Sequence, residues 1–110
     1  MSNNYVDYIL DLLSPFASIT SRAMFGGHGI YKGKIIVGII ADDELYFKVD
    51  ATNKAQYEAL NSTPFAYNAK NKKINLSYWK VPIEIMEDEE QLSIWLEQAF
   101  FISTKKLKNK

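Results

Sequence analysis

Apolar residues fall at Tyr5, Ile9, Leu12, Leu13 and Phe16, with Val6 and Leu10 widening the stripe and Asp7 and Asp11 one turn apart on the polar side. This spacing of three and four predicts an amphipathic helix over residues 4–16. Asn3 or Asn4 can cap its first N–H groups, and Ser14-Pro15 stops it, because a residue before proline is pushed out of the helical region.

The period then changes to two. Residues 22–31 read as one strand interrupted by Gly26, Gly27 and Gly29, where three glycines in four positions suggest a bulge or a close backbone approach. Gly33 supplies a turn, and residues 35–41 form a nearly continuous β-branched run, as in a central strand covered on both faces. Asp42-Asp43 separates it from a third strand over residues 44–49, in which Leu45, Phe47 and Val49 alternate with Tyr46 and Lys48. A short helix is expected over residues 52–60, capped by Asp50 or Thr52, with Ala55, Ala59 and Leu60 on its apolar side. Pro64 follows its end. Residues 65–69 and 73–79 flank Lys70-Asn71-Lys72 as a second hairpin, which Pro82 terminates.

The last helix has the clearest beginning. Asp88 stands three residues before Gln91, a capping-box-like spacing, and Leu92, Trp95, Leu96, Ala99 and Phe100 follow on one face. The predicted fold is α+β, an antiparallel sheet with helices in the order α-β-β-β-α-β-β-α. Residues 1–104 make a single domain, and residues 105–110 a frayed basic tail.

Composition narrows the function more by exclusion than by assignment. The chain has no cysteine, which removes disulfides, thiolate zinc sites, iron–sulfur clusters and cysteine nucleophiles. No apolar run reaches the roughly 20 residues of a bilayer span, and the first residues carry no secretory signal, so a cytoplasmic protein without membrane contact is expected. Thirteen basic and thirteen acidic residues balance, which argues against a general nucleic-acid binder but leaves room for a local patch.

Each candidate constellation has a plain structural account. The glycines lead into another strand rather than a helix, so they do not make a nucleotide-binding loop. His28 is the sole histidine, and Asp42, Asp43 and Glu44 lie at a hairpin turn where aspartate is favoured anyway; no metal or cofactor is expected. Asp88, Glu89 and Glu90 suit the first turn of a helix. Lys70, Lys72, Lys73 and Lys80 interleave with Tyr78 and Trp79, a pattern shared by single-strand binding surfaces and by edge strands guarded against aggregation. Arg22 and Lys48 are charges inside apolar stretches; with Tyr46 and Tyr78 they are candidates for a small polar patch facing a partner, and Tyr67 and Trp79 are further candidate anchors. A catalytic role would require Arg22, His28, Tyr46 and Lys48 to converge on one pocket.

The string Arg22-Ala23-Met24-Phe25-Gly26-Gly27-His28-Gly29-Ile30-Tyr31 resembles the signature of the TfoX/Sxy N-terminal domain family. Gly33, Asp43-Glu44-Leu45-Tyr46-Phe47-Lys48, Pro64-Phe65-Ala66-Tyr67 and Tyr78-Trp79-Lys80-Val81-Pro82 follow in the family's order, although Asn61-Ser62-Thr63 stand where the family often has glycine before Pro-Phe. The resemblance spans about residues 5–100 and gives Phe25, Gly26, Gly27, Gly29, Tyr31, Pro64 and Pro82 the standing of structural motif residues. It implies a sheet similar to that of secretion-chaperone-like domains and no catalytic residues or cofactor. The best-known members are competence regulators that act with a transcription activator and carry a second, C-terminal domain, which these 110 residues do not include.

The expected function is therefore a non-enzymatic protein-interaction module, with a transcription activator as candidate partner and a homodimer as candidate assembly. Edge pairing by residues 22–31 or 73–79 would be its recognition mode. The alternative is a nucleic-acid-binding accessory factor using the basic and aromatic hairpin 65–80.

Overall fold

A computed structural model describes residues 4–24, 27–69 and 72–108, with the backbone alone for residues 24, 67–69, 72–76 and 106–108. The predicted Phe25 and Gly26 motif positions and Lys70-Asn71 lie outside the described residues, as do the side chains of Tyr67, Lys72 and Lys73. The elements run α1 (Asn4–Leu13), β1 (Ile19–Met24), β2 (Gly27–Lys32), β3 (Ile35–Ala41), β4 (Glu44–Lys48), α2 (Lys54–Ala59), β5 (Pro64–Ala69), β6 (Lys72–Lys80), α3 (Ile83–Met86) and α4 (Glu89–Lys108). The α+β class holds, with one strand and one short helix beyond the predicted order.

Helix α1 buries Val6, Ile9 and Leu13 and ends three residues earlier than its apolar pattern suggests. Ahead of Pro15, Ser14 still donates its N–H to the Leu10 carbonyl at 2.9 Å, and Phe16 then closes a tighter turn on Leu13 at 3.0 Å.

The extra strand comes from residues 22–31, which are not one bulged strand but parts of two. Met24 pairs with Gly27 and Ile19 with Lys32, so β1 and β2 run antiparallel as two strands. A Cβ on Gly27 would collide with the carbonyl oxygen of Ile40 on the next strand, so this position is closed to any side chain by the approach of β3. Gly33 opens the following two-residue turn at φ +63, with space around it.

A bulge does occur, one strand further on. Ile30 pairs with Gly38 and Tyr31 with Ile36, so Val37 is the extra residue. It changes the phase of β3, which is how Val37 and Ile40, an odd number of residues apart, both enter the core.

The six strands are ordered β1-β2-β3-β4-β6-β5, and all pairings are antiparallel. Residues 73–79, proposed as an edge, therefore belong to an interior strand, because β6 returns beside β4 and leaves β5 outermost. Of residues 22–31, only the β1 portion lies on an edge.

Buried residues from each of the four helices meet one face of this sheet in a single core with Ile30, Val37, Ile40, Leu45 and Phe47. Helix α2 turns inward through Tyr57, while Ala55 and Ala59 stay exposed. It also lacks a side-chain cap: the Asn53 side-chain Oδ1 accepts from the Asp50 N–H at 2.9 Å, and the Asp50 carboxylate from the Thr52 N–H at 2.8 Å. Pro82 stands at the start of α3, where its missing N–H costs nothing, and its carbonyl accepts from Ile85 and Met86 at 3.0 and 3.1 Å. Helix α4 starts as read: the Asp88 carboxylate accepts from the Gln91 N–H at 3.1 Å. It continues through Lys105 to Lys108, a stretch assigned from sequence to the tail, and Lys105 there lies 4.0 Å from the Asp50 carboxylate.

Candidate functional site

Alternation along the strands decides which side chains share the face opposite the helices. Leu45 and Phe47 are buried in the core, so Tyr46 and Lys48 project the other way. Tyr46 pairs with Lys80 and Lys48 with Tyr78, which carries the same face onto β6. Ile30 is in the core and pairs with Ser21, so Tyr31 and Arg22 belong to the open face on β2 and β1. Arg22, Tyr46, Lys48 and Tyr78, which the sequence proposed together, are thus brought onto one surface.

Two features organise that surface. The Arg22 guanidinium carbon lies 5.6 Å from the Tyr31 ring centroid, and the Lys48 ammonium 5.0 Å from that of Tyr78. Both are within the range at which a cation is attracted by the ring's electron-rich face. Lys48 also donates to the Ser77 hydroxyl at 2.7 Å, which fixes its ammonium. Farther along, Tyr46 meets Phe65 edge to face with centroids 5.1 Å apart. Lys80 and Glu44 pair at 3.3 Å in a half-exposed setting, where the bridge adds little stability.

Tyr46 and Tyr78 titrate late. Burial, then the Glu44 carboxylate, pushes the Tyr46 hydroxyl above its ordinary value, with Lys80 opposing. Burial and the neighbouring Tyr31 do the same to Tyr78. Both therefore stay neutral near pH 7, and the cations supply the charge of the surface.

Other candidates go elsewhere. Trp79 pairs with Phe47 and faces the helices, half-buried, with its ring 6.4 Å from that of Tyr57. His28 shares the core-side phase of Ile30, so the set Arg22, His28, Tyr46 and Lys48 is divided between two faces. Pro64 begins β5 opposite Trp79. Among the described residues, no three His, Cys, Asp or Glu lie close enough to hold a metal ion, and no helix is long and apolar enough to cross a membrane. Tyr31 and Phe65 are members of the surface that sequence reasoning missed. Period-two alternation from Ile30 would have placed Tyr31, had the motif not drawn attention to its glycines.

Compared with known proteins, the chain matches the family model described as the TfoX N-terminal domain over residues 11–101. No curated protein matches it.

Proposed function

We propose, on the premise that the chain belongs to the TfoX N-terminal domain family, that it is a protein-interaction module engaging an acidic segment of a partner through the open sheet face. The observation that carries this reading is the pair of cations held over tyrosine rings, Arg22 on Tyr31 and Lys48 on Tyr78. Each pair presents charge and aromatic area together, the combination that dominates binding energy at interfaces. Because each cation lies over its ring, carboxylates of a partner would meet the charges first, before any base could stack.

The edge strand β1 adds a backbone component. Arg22 lies on it and is exposed, so an extended segment pairing with β1 would bring acidic side chains within its reach. Antiparallel self-pairing centred on Arg22 would set two guanidinium groups opposite each other, which favours a different chain over a second copy. The role is binding rather than catalysis, and the Sxy resemblance points to a transcription activator as the class of partner.

The test is amide NMR of the labelled chain at low salt, titrated in parallel with a glutamate-rich peptide and a single-stranded oligonucleotide. Shifts centred on Arg22, Tyr31, Lys48 and Tyr78 with the peptide are expected. Shifts there with the oligonucleotide alone would favour the nucleic-acid reading, and none with either would remove the proposal.

A further inference from the structure

A concave feature lies where the first turn of α1, the β3–β4 turn, the loop after α2 and α3 come together. It encloses about 440 Å³, within the range of small-molecule sites. Val81 and Met86, 2% and 7% exposed, form its apolar floor. Tyr8 and Ile83, 46% and 59% exposed, stand at its mouth, among the few large apolar side chains left in solvent.

Its polar lining is unbalanced. Asp43, Glu44 and Glu84 face one ammonium, that of Lys80, which is already paired with Glu44 at 3.3 Å. Among the described residues, Asp43 and Glu84 are in no ion pair. The Tyr5 and Tyr8 rings, both in the lining, sit with centroids 5.8 Å apart and planes at 47°. Tilted aromatic faces beside carboxylates are the chemistry that holds organic ammonium groups. The carboxylates are too dispersed for a metal ion, since no three acidic or imidazole groups converge among the described residues.

We infer that this pocket binds an alkylammonium group, with its methylenes against Val81, Pro82 and Met86 and its charge between the Tyr5 and Tyr8 rings and the Asp43 and Glu84 carboxylates. Burial, and then Glu44, Tyr8 and Asp43, raises the Tyr5 hydroxyl to about 12, so the ring stays neutral while its surroundings favour a cation. The ammonium can come from a free polyamine or from a lysine side chain of a bound peptide. The pocket shares Glu44 and Lys80 with the rim of the open sheet face, but the Arg22–Tyr31 and Lys48–Tyr78 pairs lie outside its lining.

The experiment is an amide NMR titration of the whole chain with spermidine and, separately, with a short capped peptide containing one lysine; butane-1,4-diol is the neutral control. Saturable shifts at Tyr5, Tyr8, Asp43 and Glu84 are expected from an amine and none from the diol. The stronger of the two amine arms identifies the source. Asp43→Asn with Glu84→Gln should weaken binding at least about tenfold, and added salt should weaken the wild type. Tyr8→Leu, which keeps apolar bulk but removes the ring face, should weaken it several-fold. Absence of saturable shifts up to about 10 mM amine, a range that reaches weak millimolar sites, overturns the inference. So does unchanged affinity in the folded double carboxylate variant.

Discussion

Tyr57 and Trp95 pack with ring centroids 4.4 Å apart at 49°, which ties the short helix α2 to the middle of α4. Tyr57 is fully buried, and its hydroxyl has no hydrogen-bond partner among the described residues. Burial alone drives the hydroxyl far above its ordinary pKa. The ring thus stabilises the fold, while the hydroxyl bears a desolvation cost. Tyr57→Phe should leave stability unchanged or raise it, and Tyr57→Ala should remove about 3–5 kcal/mol. Urea denaturation of both variants measures the two contributions separately.

Two glycines should fail for different reasons. At Gly27 the obstacle is the Ile40 backbone, so every side chain is excluded, and Gly27→Val or Gly27→Asn should cost about 1–3 kcal/mol. At Gly33 the obstacle is the left-handed backbone at φ +63, with no atom nearby. Asparagine tolerates that region, so Gly33→Asn should be nearly neutral while Gly33→Val is not. Equal melting temperatures for the two asparagine variants would contradict this distinction.

Asp42 and Asp43 both adopt positive φ, 51 and 58, in the two-residue turn between β3 and β4. That turn geometry prefers glycine at its second central position. Asp43→Gly should raise stability by about 0.5–1 kcal/mol, while weakening alkylammonium binding at the adjoining pocket. A variant that is more stable yet binds less separates the carboxylate's contribution from a structural one. Thermal unfolding and the spermidine titration, run on the same sample, report both.

Alkaline pH should unfold the protein through its tyrosines. Tyr5, Tyr46, Tyr57 and Tyr78 all have folded pKa values raised above 10.0, with burial the largest cause at each. A raised folded pKa means that the unfolded chain ionises first, so the stabilisation is complete below pH 10 and declines as pH rises through the folded values, about 12 for Tyr5. Tyrosinate absorbance should therefore rise in two stages, with the later one coinciding with loss of far-UV circular dichroism. At the acid end, burial raises the Asp50 carboxyl, but hydrogen bonds from Thr52 and the charges of Lys105 and Lys48 outweigh it and hold the pKa low. Its stabilisation is present above the ordinary carboxylate value and fades as pH falls through the lower folded one, so Asp50→Asn should blunt the acid limb of the stability profile.

Much of this was legible wherever the signal was local. Helix α4 announced itself through Asp88 and the spacing of Leu92, Trp95, Leu96 and Ala99, and the cap is made as read. The surface shared by Arg22, Tyr46, Lys48 and Tyr78 was legible as odd charges and rings in alternating strands. The same rule of two would have sent Trp79, next to Tyr78, to the opposite face, where it is found. The β1–β2 pairing was hidden because glycine marks bulges and turns alike. The interior place of β6 depends on long-range pairing with β4, on which a local pattern is silent. Helix α3 is four residues long, too short to show a period. The alkylammonium pocket joins Tyr5, Asp43 and Glu84 from distant parts of the chain, a juxtaposition only the folded topology creates.

The open sheet face as a binding surface is tested most directly by charge reversal. Arg22→Glu with Lys48→Glu alters the two cations over Tyr31 and Tyr78 without touching the core. Wild type and variant, matched for melting temperature, would be used in parallel to capture partners from the native host and to bind the recovered partner in purified form. The account predicts that the variant loses the partner by at least about tenfold in affinity. Retention of the same partner with the same affinity by the folded variant would contradict it.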